Sequence, residues 1–182
     1  VITNKLCLEK KKEVTRLLDK TTPEDQLYWA IKGVRCAELP SVIAVPKLLT
    51  LMYEHPKPII RASAIMAIGR YSTNVINNAA YLIIKRISAN EPPEVVEAAA
   101  MVLKKLGGND EKLVASKLKK ILNPENSSHV GHLLITYFQG QDQVGEFVTQ
   151  NLASSDQKAK QSAIQLICDL EPSYRPTSIE SI

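Results

Sequence analysis

Two histidines three residues apart come closest, in this chain, to a spacing that supports chemistry. His129 and His132 fall on one face of a predicted helix near Glu125, and two imidazoles at this spacing can share a metal ion. A zinc site needs a third and a fourth ligand, and no further ligand stands at a suitable spacing. We therefore expect neutral, partly packed histidines, with neither a metal nor another cofactor.

Catalytic patterns are missing from the rest of the sequence. Acid–base or nucleophilic catalysis needs a pair of carboxylates, or Ser or Cys with His and an orienting acid. The acidic residues stand mostly at predicted helix starts, where carboxylates stabilise the positive end of the helix dipole. HExxH, P-loop, GxSxG and GxGxxG patterns do not occur. The sequence predicts that the chain is not an enzyme.

Polar side chains along one predicted helix favour recognition instead. Asn74, Asn77, Asn78, Tyr81 and Lys85 share one stripe, opposite the apolar residues of the same segment. Asparagine is a poor helix former, so a need for solubility alone does not account well for three asparagines on one helix. Amide groups around a tyrosine are typical of a protein contact surface, and a merely solvated face is the alternative.

The cysteines and the apolar runs bear on location. Cys7, Cys36 and Cys168 are far apart, which excludes a CxxC zinc ribbon. Cys36 and Cys168 fall on apolar helix faces, so we expect reduced structural thiols, which favours the cytoplasm. No run of about 18 apolar residues predicts a membrane span. Because the sequence starts at Val1, we expect a processed chain or a piece of a longer one.

Composition predicts an all-α protein. The 182 residues are 45% hydrophobic but only 5% aromatic, a balance that suits helices packed through aliphatic side chains better than a β-sandwich. The formal net charge of +4 allows an acidic protein or a nucleic acid as partner and requires neither.

Prolines at the starts of apolar periodic segments and glycines after them mark ten helices. Thr22 and Thr73 are predicted N-caps, and Gly107, Gly108 and Gly140 are predicted to end helices. The predicted helices cover residues 5–19, 23–37, 41–54, 58–71, 73–88, 92–106, 110–122, 127–139, 142–153 and 156–170.

Alternate helices repeat one pattern. A buried position, in most cases Ala, recurs with apolar or small residues three, four and seven positions later. It falls at Ala30, Ala64, Ala99, Leu133 and Ala163, at spacings of 34, 35, 34 and 30 residues. One helix pair with a single such stripe cannot bury its apolar surface, whereas stacked pairs can.

Residues 58–69 resemble the first helix of a HEAT repeat. The matching features are Pro58, an aliphatic residue followed by Arg61, Ala64 three residues later, and a small-aliphatic-Gly ending at Gly69. Residues 95–106 and 159–163 are similar, with Val96 or Lys160 in place of the arginine. The armadillo-type fold that this resemblance implies is a right-handed α-α superhelix, or solenoid, of about four to five antiparallel helix pairs. It implies one domain over residues 1–170, with a capping helix at 5–19, repeats over 23–170, and an irregular tail at 171–182.

The resemblance also implies where a partner binds. The second helix of each HEAT pair lines the concave surface, so lysines after residue 110 would form a positive groove with Lys85 and Lys47. The predicted partner-binding residues are therefore Asn74, Asn77, Asn78, Tyr81, Lys85, Lys112, Ser116, Lys119 and Lys120.

The function expected from these features is a scaffold or adaptor for a protein partner within a larger chain or complex, and a partner with an acidic surface is one that the lysines would suit. The alternative is a nucleic-acid-binding HEAT-like protein, including a DNA-base glycosylase, that uses the lysine groove. Arginine forks and stacking aromatics are not interleaved with those lysines. A helper of a tetrapyrrole protein is a third function known among HEAT-like proteins, and no residue supports it specifically. Trp29 beside Tyr28 is expected to pack in the core or between repeats.

Overall fold

The computed structural model describes residues 2–88 and 90–170, without the side chains of residues 2–8, 109 and 110. All regular structure in these residues is α-helical, as composition predicted, and the predicted tail at 171–182 lies outside them. The helices are α1 (Ile2–Leu17), α2 (Glu24–Cys36), α3 (Ser41–Glu54), α4 (Pro58–Ile68), α5 (Thr73–Ile84), α6 (Pro93–Lys104), α7 (Gly108–Ile121), α8 (Ser127–Phe138), α9 (Gln141–Leu152) and α10 (Gln157–Asp169). Within the described part, none of them has the length and apolarity that a bilayer crossing requires.

Both predicted N-caps differ from the observed ones by one residue. The N-cap of α2 is Pro23 rather than Thr22, with φ −51° and ψ 140°, and the N-cap of α5 is Ser72 rather than Thr73. Proline fixes φ near its helical value while ψ remains extended, so it can stand directly before a first turn. Neither cap makes a side-chain hydrogen bond.

The predicted glycine C-caps are placed differently. Helix α6 ends at Lys104, and Gly107 and Gly108 have φ of +67° and +55° at the start of α7. At the end of α8 the left-handed position belongs to Gln139, with φ 51°. Gly140 is the next residue. An added Cβ at this position would lie 3.0 Å from the Leu134 carbonyl oxygen, which leaves no room for a side chain. Close backbone approach, and not a positive φ, requires that glycine.

The even-numbered helices form one continuous series. Helix α4 packs against α2 and α6, α8 packs against α6, and α10 packs against α8. Each odd-numbered helix packs mainly against the even-numbered helix that follows it, so the pairs are α1–α2, α3–α4, α5–α6, α7–α8 and α9–α10. The predicted capping helix is therefore one half of the first pair. Pairing with the preceding helix, which the predicted repeats assumed, is the weaker contact.

The small central residues of the repeat lie at the contacts between helices, as predicted. Ala30, Ala64, Ala99, Leu133 and Ala163 are all at most 3% exposed. Where even-numbered helices meet, an added side chain would clash: a Cβ on Gly69 of α4 would lie 2.5 Å from Cγ2 of Val102 on α6. Small residues thus set a short distance between α4 and α6.

Side-chain hydrogen bonds repeat the same spacing. Among described residues, each side-chain hydrogen bond that joins residues more than seven positions apart spans 27 to 41 residues. The hydroxyl of Tyr71 donates to the carbonyl of Leu39 at 2.9 Å, and Tyr53 donates to Leu82 at 3.1 Å. Tertiary contacts therefore follow the period that the sequence predicted.

A partly buried ionic network joins α4 to the connection between α5 and α6. The Glu91 carboxylate accepts from Arg61 at 3.1 Å and from Arg86 at 2.6 Å, and the three side chains are 11 to 20% exposed. Arg61 also donates to the carbonyls of His55 and Pro56. The arginine on which the HEAT resemblance partly rests thus ties the start of α4 to the start of α6.

Three side chains are less buried than expected. Trp29 is 69% exposed. Cys36 and Cys168 are exposed free thiols rather than core residues. Trp29 and Cys36 belong to α2 and Cys168 belongs to α10, the helices at the two ends of the even-numbered series, which have one even-numbered neighbour each. Periodicity predicts an apolar stripe, but a residue at the margin of the stripe is buried only where a neighbouring helix covers it.

Candidate protein-interaction surface

The predicted binding residues of α5 form an exposed polar stripe. Asn74, Asn77, Asn78 and Tyr81 are exposed, and Tyr81 keeps 69% of its accessible area. The opposite side of α5 is anchored, because Ile76, Ala79, Ile83 and the following Ile87 are at most 2% exposed. This amphipathic pattern fixes the orientation of the helix and keeps the amide groups in solvent.

Lys85, at the C-terminal end of α5, completes this stripe. Its ammonium lies 4.4 Å from the centre of the Tyr81 ring, within the range of a cation–π contact. The pair presents a flat aromatic surface with a positive charge beside it. We call the residues Asn74, Asn77, Asn78, Tyr81 and Lys85 the α5 stripe.

The predicted residues of α7 form a separate group. Lys112, Ser116 and Lys119 line a groove of about 640 Å³, together with Glu111 and residues at the end of α8 and the start of α9. Lys120 is also exposed but does not line this groove. None of the α5 stripe residues lines it, so the nine predicted residues do not form one continuous cleft.

The α7 groove is less positive than the sequence indicated. Lys119 forms an ion pair with Glu146 of α9 at 2.7 Å, and Glu111 pairs with Lys104. Lys47, which was expected to extend the groove, instead donates to the carbonyl of Leu18 at 3.3 Å. Carboxylates within and beside the groove thus offset part of the lysine charge.

The two histidines contact other partners. Nε2 of His129 lies 3.0 Å from the carbonyl oxygen of Pro93, and Nε2 of His132 lies 3.4 Å from the hydroxyl oxygen of Thr136. One ring nitrogen of each histidine thus has a neighbour of its own. Within the described part of the chain, no three His, Cys, Asp or Glu residues are grouped closely enough to hold a metal ion.

Sequence reasoning missed a groove on the opposite set of helices. A depression of about 310 Å³ lies over α4, between α2 and α6. It contains the exposed apolar side chains Ile59 and Met66. A signal for it was present, since residues 58–68 carry a single charge and are apolar on nearly every side. A helix of that kind is expected to be covered on all sides.

Comparison of the chain with family models, with curated proteins and with solved structures gave no match.

Proposed function

We propose that this chain is a non-catalytic protein-interaction scaffold, built as a right-handed α-solenoid of HEAT-like helix pairs. The series of even-numbered helices and the one-period spacing of the tertiary hydrogen bonds support this architecture. In such a stack each pair contacts only its neighbours, so long helix faces remain open for binding.

The α5 stripe is the observation that carries the proposed function. Three asparagines and a tyrosine are exposed on a helix whose other side is firmly packed. Tyrosine supplies a large contact area with few rotatable bonds, and the amides supply donors and acceptors in both directions. We propose that this stripe binds a protein partner with Tyr81 as its central contact.

Lysines on the odd-numbered helices favour an acidic partner. Lys85, Lys112 and Lys120 are exposed on the same set of odd-numbered helices. Charges at the edge of an interface mainly raise the association rate and exclude partners of like charge. A partner with carboxylates around an amide-binding centre would match this distribution.

Nucleic acid is the alternative ligand. Binding along a phosphate backbone needs several cations in register. The carboxylates of Glu111 and Glu146 at the α7 groove work against it, so we favour protein. We also propose a cytoplasmic location, because Cys36 and Cys168 are free thiols on the surface.

The test begins with photo-crosslinking from position 78 in an extract of the native source, with and without nuclease, to identify the molecule bound there. The affinity of the purified partner is then measured for the parent chain and for Tyr81→Ala. Truncating a central aromatic contact commonly costs about 2 kcal/mol, or roughly thirtyfold in affinity.

Trp29→Ala is the matched control, because Trp29 is also 69% exposed but lies on α2. The proposal expects weaker binding for Tyr81→Ala and unchanged binding for Trp29→Ala. Equal affinities for the parent and Tyr81→Ala would remove the α5 stripe as the binding site. Crosslinking that disappears with nuclease would favour the nucleic-acid alternative.

A further inference from the structure

A second surface lies across the even-numbered helices, and we call it the α4 groove. Its floor follows α4 through Ile59, Ala62, Ser63, Met66 and Ala67. Helix α2 forms one wall through Ile31 and Lys32, and α6 forms the other through Glu94, Glu97, Ala98 and Met101. From Ile59 to Ala67, eight residues along the chain, the floor is about 12 Å long at the helical rise per residue.

Apolar side chains are exposed on this floor. Ile59 is 54% exposed and Met66 is 37% exposed, while the small residues Ala62, Ser63 and Ala67 leave open space above the helix. Isolated apolar residues on a surface are ordinary, but a groove that is mostly apolar and rimmed by charges is typical of a binding site.

The charges of the groove are sorted by end. Helices α2, α4 and α6 run parallel: Lys57 pairs with Glu24 and Arg61 with Glu91 near the helix starts, and Lys105 donates to the Gly69 carbonyl near the ends. Glu94 and Glu97 therefore lie at the end of the groove where these helices start. Lys32 and Arg70 lie towards the other end.

These four rim charges are available to a ligand. Among the ion pairs between described residues, none involves Lys32, Arg70, Glu94 or Glu97. Arg70 makes one long hydrogen bond, of 3.4 Å, to the carbonyl of Lys32, and Lys32 lies over the Tyr28 ring. The groove thus has a negative end, an apolar floor and a positive end.

A helix fits this groove better than an extended peptide. The floor offers side chains of Ile, Ala and Met to a ligand, so the backbone N–H and C=O groups of an extended segment would meet few partners there. A helix satisfies its own backbone and can place an apolar stripe on the floor. A helix commonly carries its own carboxylates in the first turn and its own cations in the last turn. These end charges match the cationic end and the acidic end of the groove only when the bound helix runs antiparallel to α4.

We propose that the α4 groove binds an amphipathic helix of a partner protein, lying antiparallel to α4. Aliphatic side chains of that helix pack on Ile59, Met66 and Met101. Carboxylates of its first turn contact Lys32 and Arg70, and Lys or Arg residues of its last turn contact Glu94 and Glu97. This site lies on the even-numbered helices and is independent of the α5 stripe, so either proposal can fail without the other.

Two synthetic helical peptides of identical composition test the proposal. Both carry Leu at positions i, i+3, i+4 and i+7. One has Glu in its first turn and Lys in its last turn, and the other has Glu and Lys mixed in both end turns, so that it matches the groove charges in neither direction. Fluorescence anisotropy with the full chain should give micromolar binding of the first peptide, at least about tenfold tighter than the second.

Substitutions in the groove locate the binding. Ser63→Arg places a long side chain on the floor and should lower the affinity for the first peptide by at least about tenfold. The Ser63→Ala variant should bind this peptide with the affinity of the parent chain. Neutralising the rim with Lys32→Gln, Arg70→Gln, Glu94→Gln and Glu97→Gln should abolish the preference between the peptides. Circular dichroism confirms that each variant remains folded.

Three results would overturn the proposal. The first is equal affinity for both peptides, the second is no binding to the folded parent, and the third is binding that Ser63→Arg leaves unchanged. Self-association that Ser63→Arg abolishes, without peptide binding, would instead assign the groove to a second copy of this chain.

Discussion

Tyr71 shows at the residue scale how one side chain joins two neighbouring helix pairs. It follows α4, and its hydroxyl donates to the Leu39 carbonyl before α3 at 2.9 Å. Burial raises the pKa of the Tyr71 hydroxyl above its ordinary value of 10.0, because the phenolate would lose hydration there. The phenolate would also have no proton to donate to Leu39.

The sign of the resulting pH dependence follows from this shift. Above pH 10 the unfolded chain loses the Tyr71 proton before the folded chain does, so the free energy of unfolding falls as the pH rises further. Below pH 10 the contribution of Tyr71 is fully present. We expect Tyr71→Phe to lower stability at pH 7 by about 1 kcal/mol, through the lost hydrogen bond.

Urea unfolding at pH 7 and at several values above 10 measures this effect. The stability difference between the parent and Tyr71→Phe should shrink as the pH rises. Tyr81→Phe, which removes a hydroxyl from the surface, is the matched control for the loss of stability that Tyr71→Phe causes at pH 7. A difference for Tyr71→Phe that is independent of pH would contradict the assigned role of the buried hydroxyl.

Gly69 shows at the element scale what sets the distance between helices. Its φ of −63° is available to any residue, so a positive φ does not explain it. The reason is Val102 on α6, whose Cγ2 would lie 2.5 Å from an added Cβ. A valine branch next to the backbone has little freedom to move aside.

We therefore expect Gly69→Ala to destabilise the fold by about 1–3 kcal/mol, as overpacking commonly does. Val102→Ala in the same chain should recover part of that loss, with a coupling energy above about 0.5 kcal/mol in a double-mutant cycle. Gly33→Ala is the control, since its nearest contact would be an ordinary 3.6 Å to Val14. Additive effects of the Gly69 and Val102 substitutions would show that the assumed contact is absent.

Helix positions could be predicted from the sequence because local signals determine them. Prolines at 23, 40, 58 and 93 stand at or next to the first residues of helices, and apolar periodicity marks where each helix continues. The predictions of helix ends were less accurate. Helix α5 was predicted to end at residue 88, but it ends at Ile84. The last turn has unpaired carbonyl groups, so tertiary contacts decide where it stops.

The candidate surface could be predicted in part. The exposed side of α5 could be predicted because Ile76, Ala79 and Ile83 lie along one face of the helix and are buried, which leaves the opposite face in solvent. The α4 groove could not be predicted from the sequence. Periodicity shows which residues of a helix share an apolar face, but it does not show which other helix covers that face. Ile59 and Met66 look like core residues in the sequence, and only the spacing of α2 and α6 leaves them in solvent.

The helices of residues 2–88 and 90–170 pack in a series, and the stability of this part of the molecule should reflect that order. Helix α4 packs against α2, α3 and α6, and α6 packs against α4, α5, α7 and α8. Among the described residues, α1 and α10 have fewer neighbouring helices. In an array stabilised by contacts between neighbouring units, opening begins where a neighbour is missing.

Native-state hydrogen exchange measures this gradient. Backbone amides of α4 and α6 should exchange slowest, and protection should decrease towards α1 and towards α10. A molecule with one indivisible core would instead give the same opening free energy for its slowest amides in every helix. That uniform result would contradict the array interpretation.

The spacing of the tertiary hydrogen bonds also has a kinetic consequence. Among the hydrogen bonds between described side chains, the one that joins the residues farthest apart in the sequence is between Ser128 and Asp169, and its two residues are 41 positions apart. Forming any of them requires the closure of a short chain segment, and the entropy lost on closure grows with segment length. Proteins dominated by such local contacts fold faster than those whose distant segments must meet first. Neighbouring pairs of this chain can therefore begin to fold before the remainder of the chain has left the ribosome.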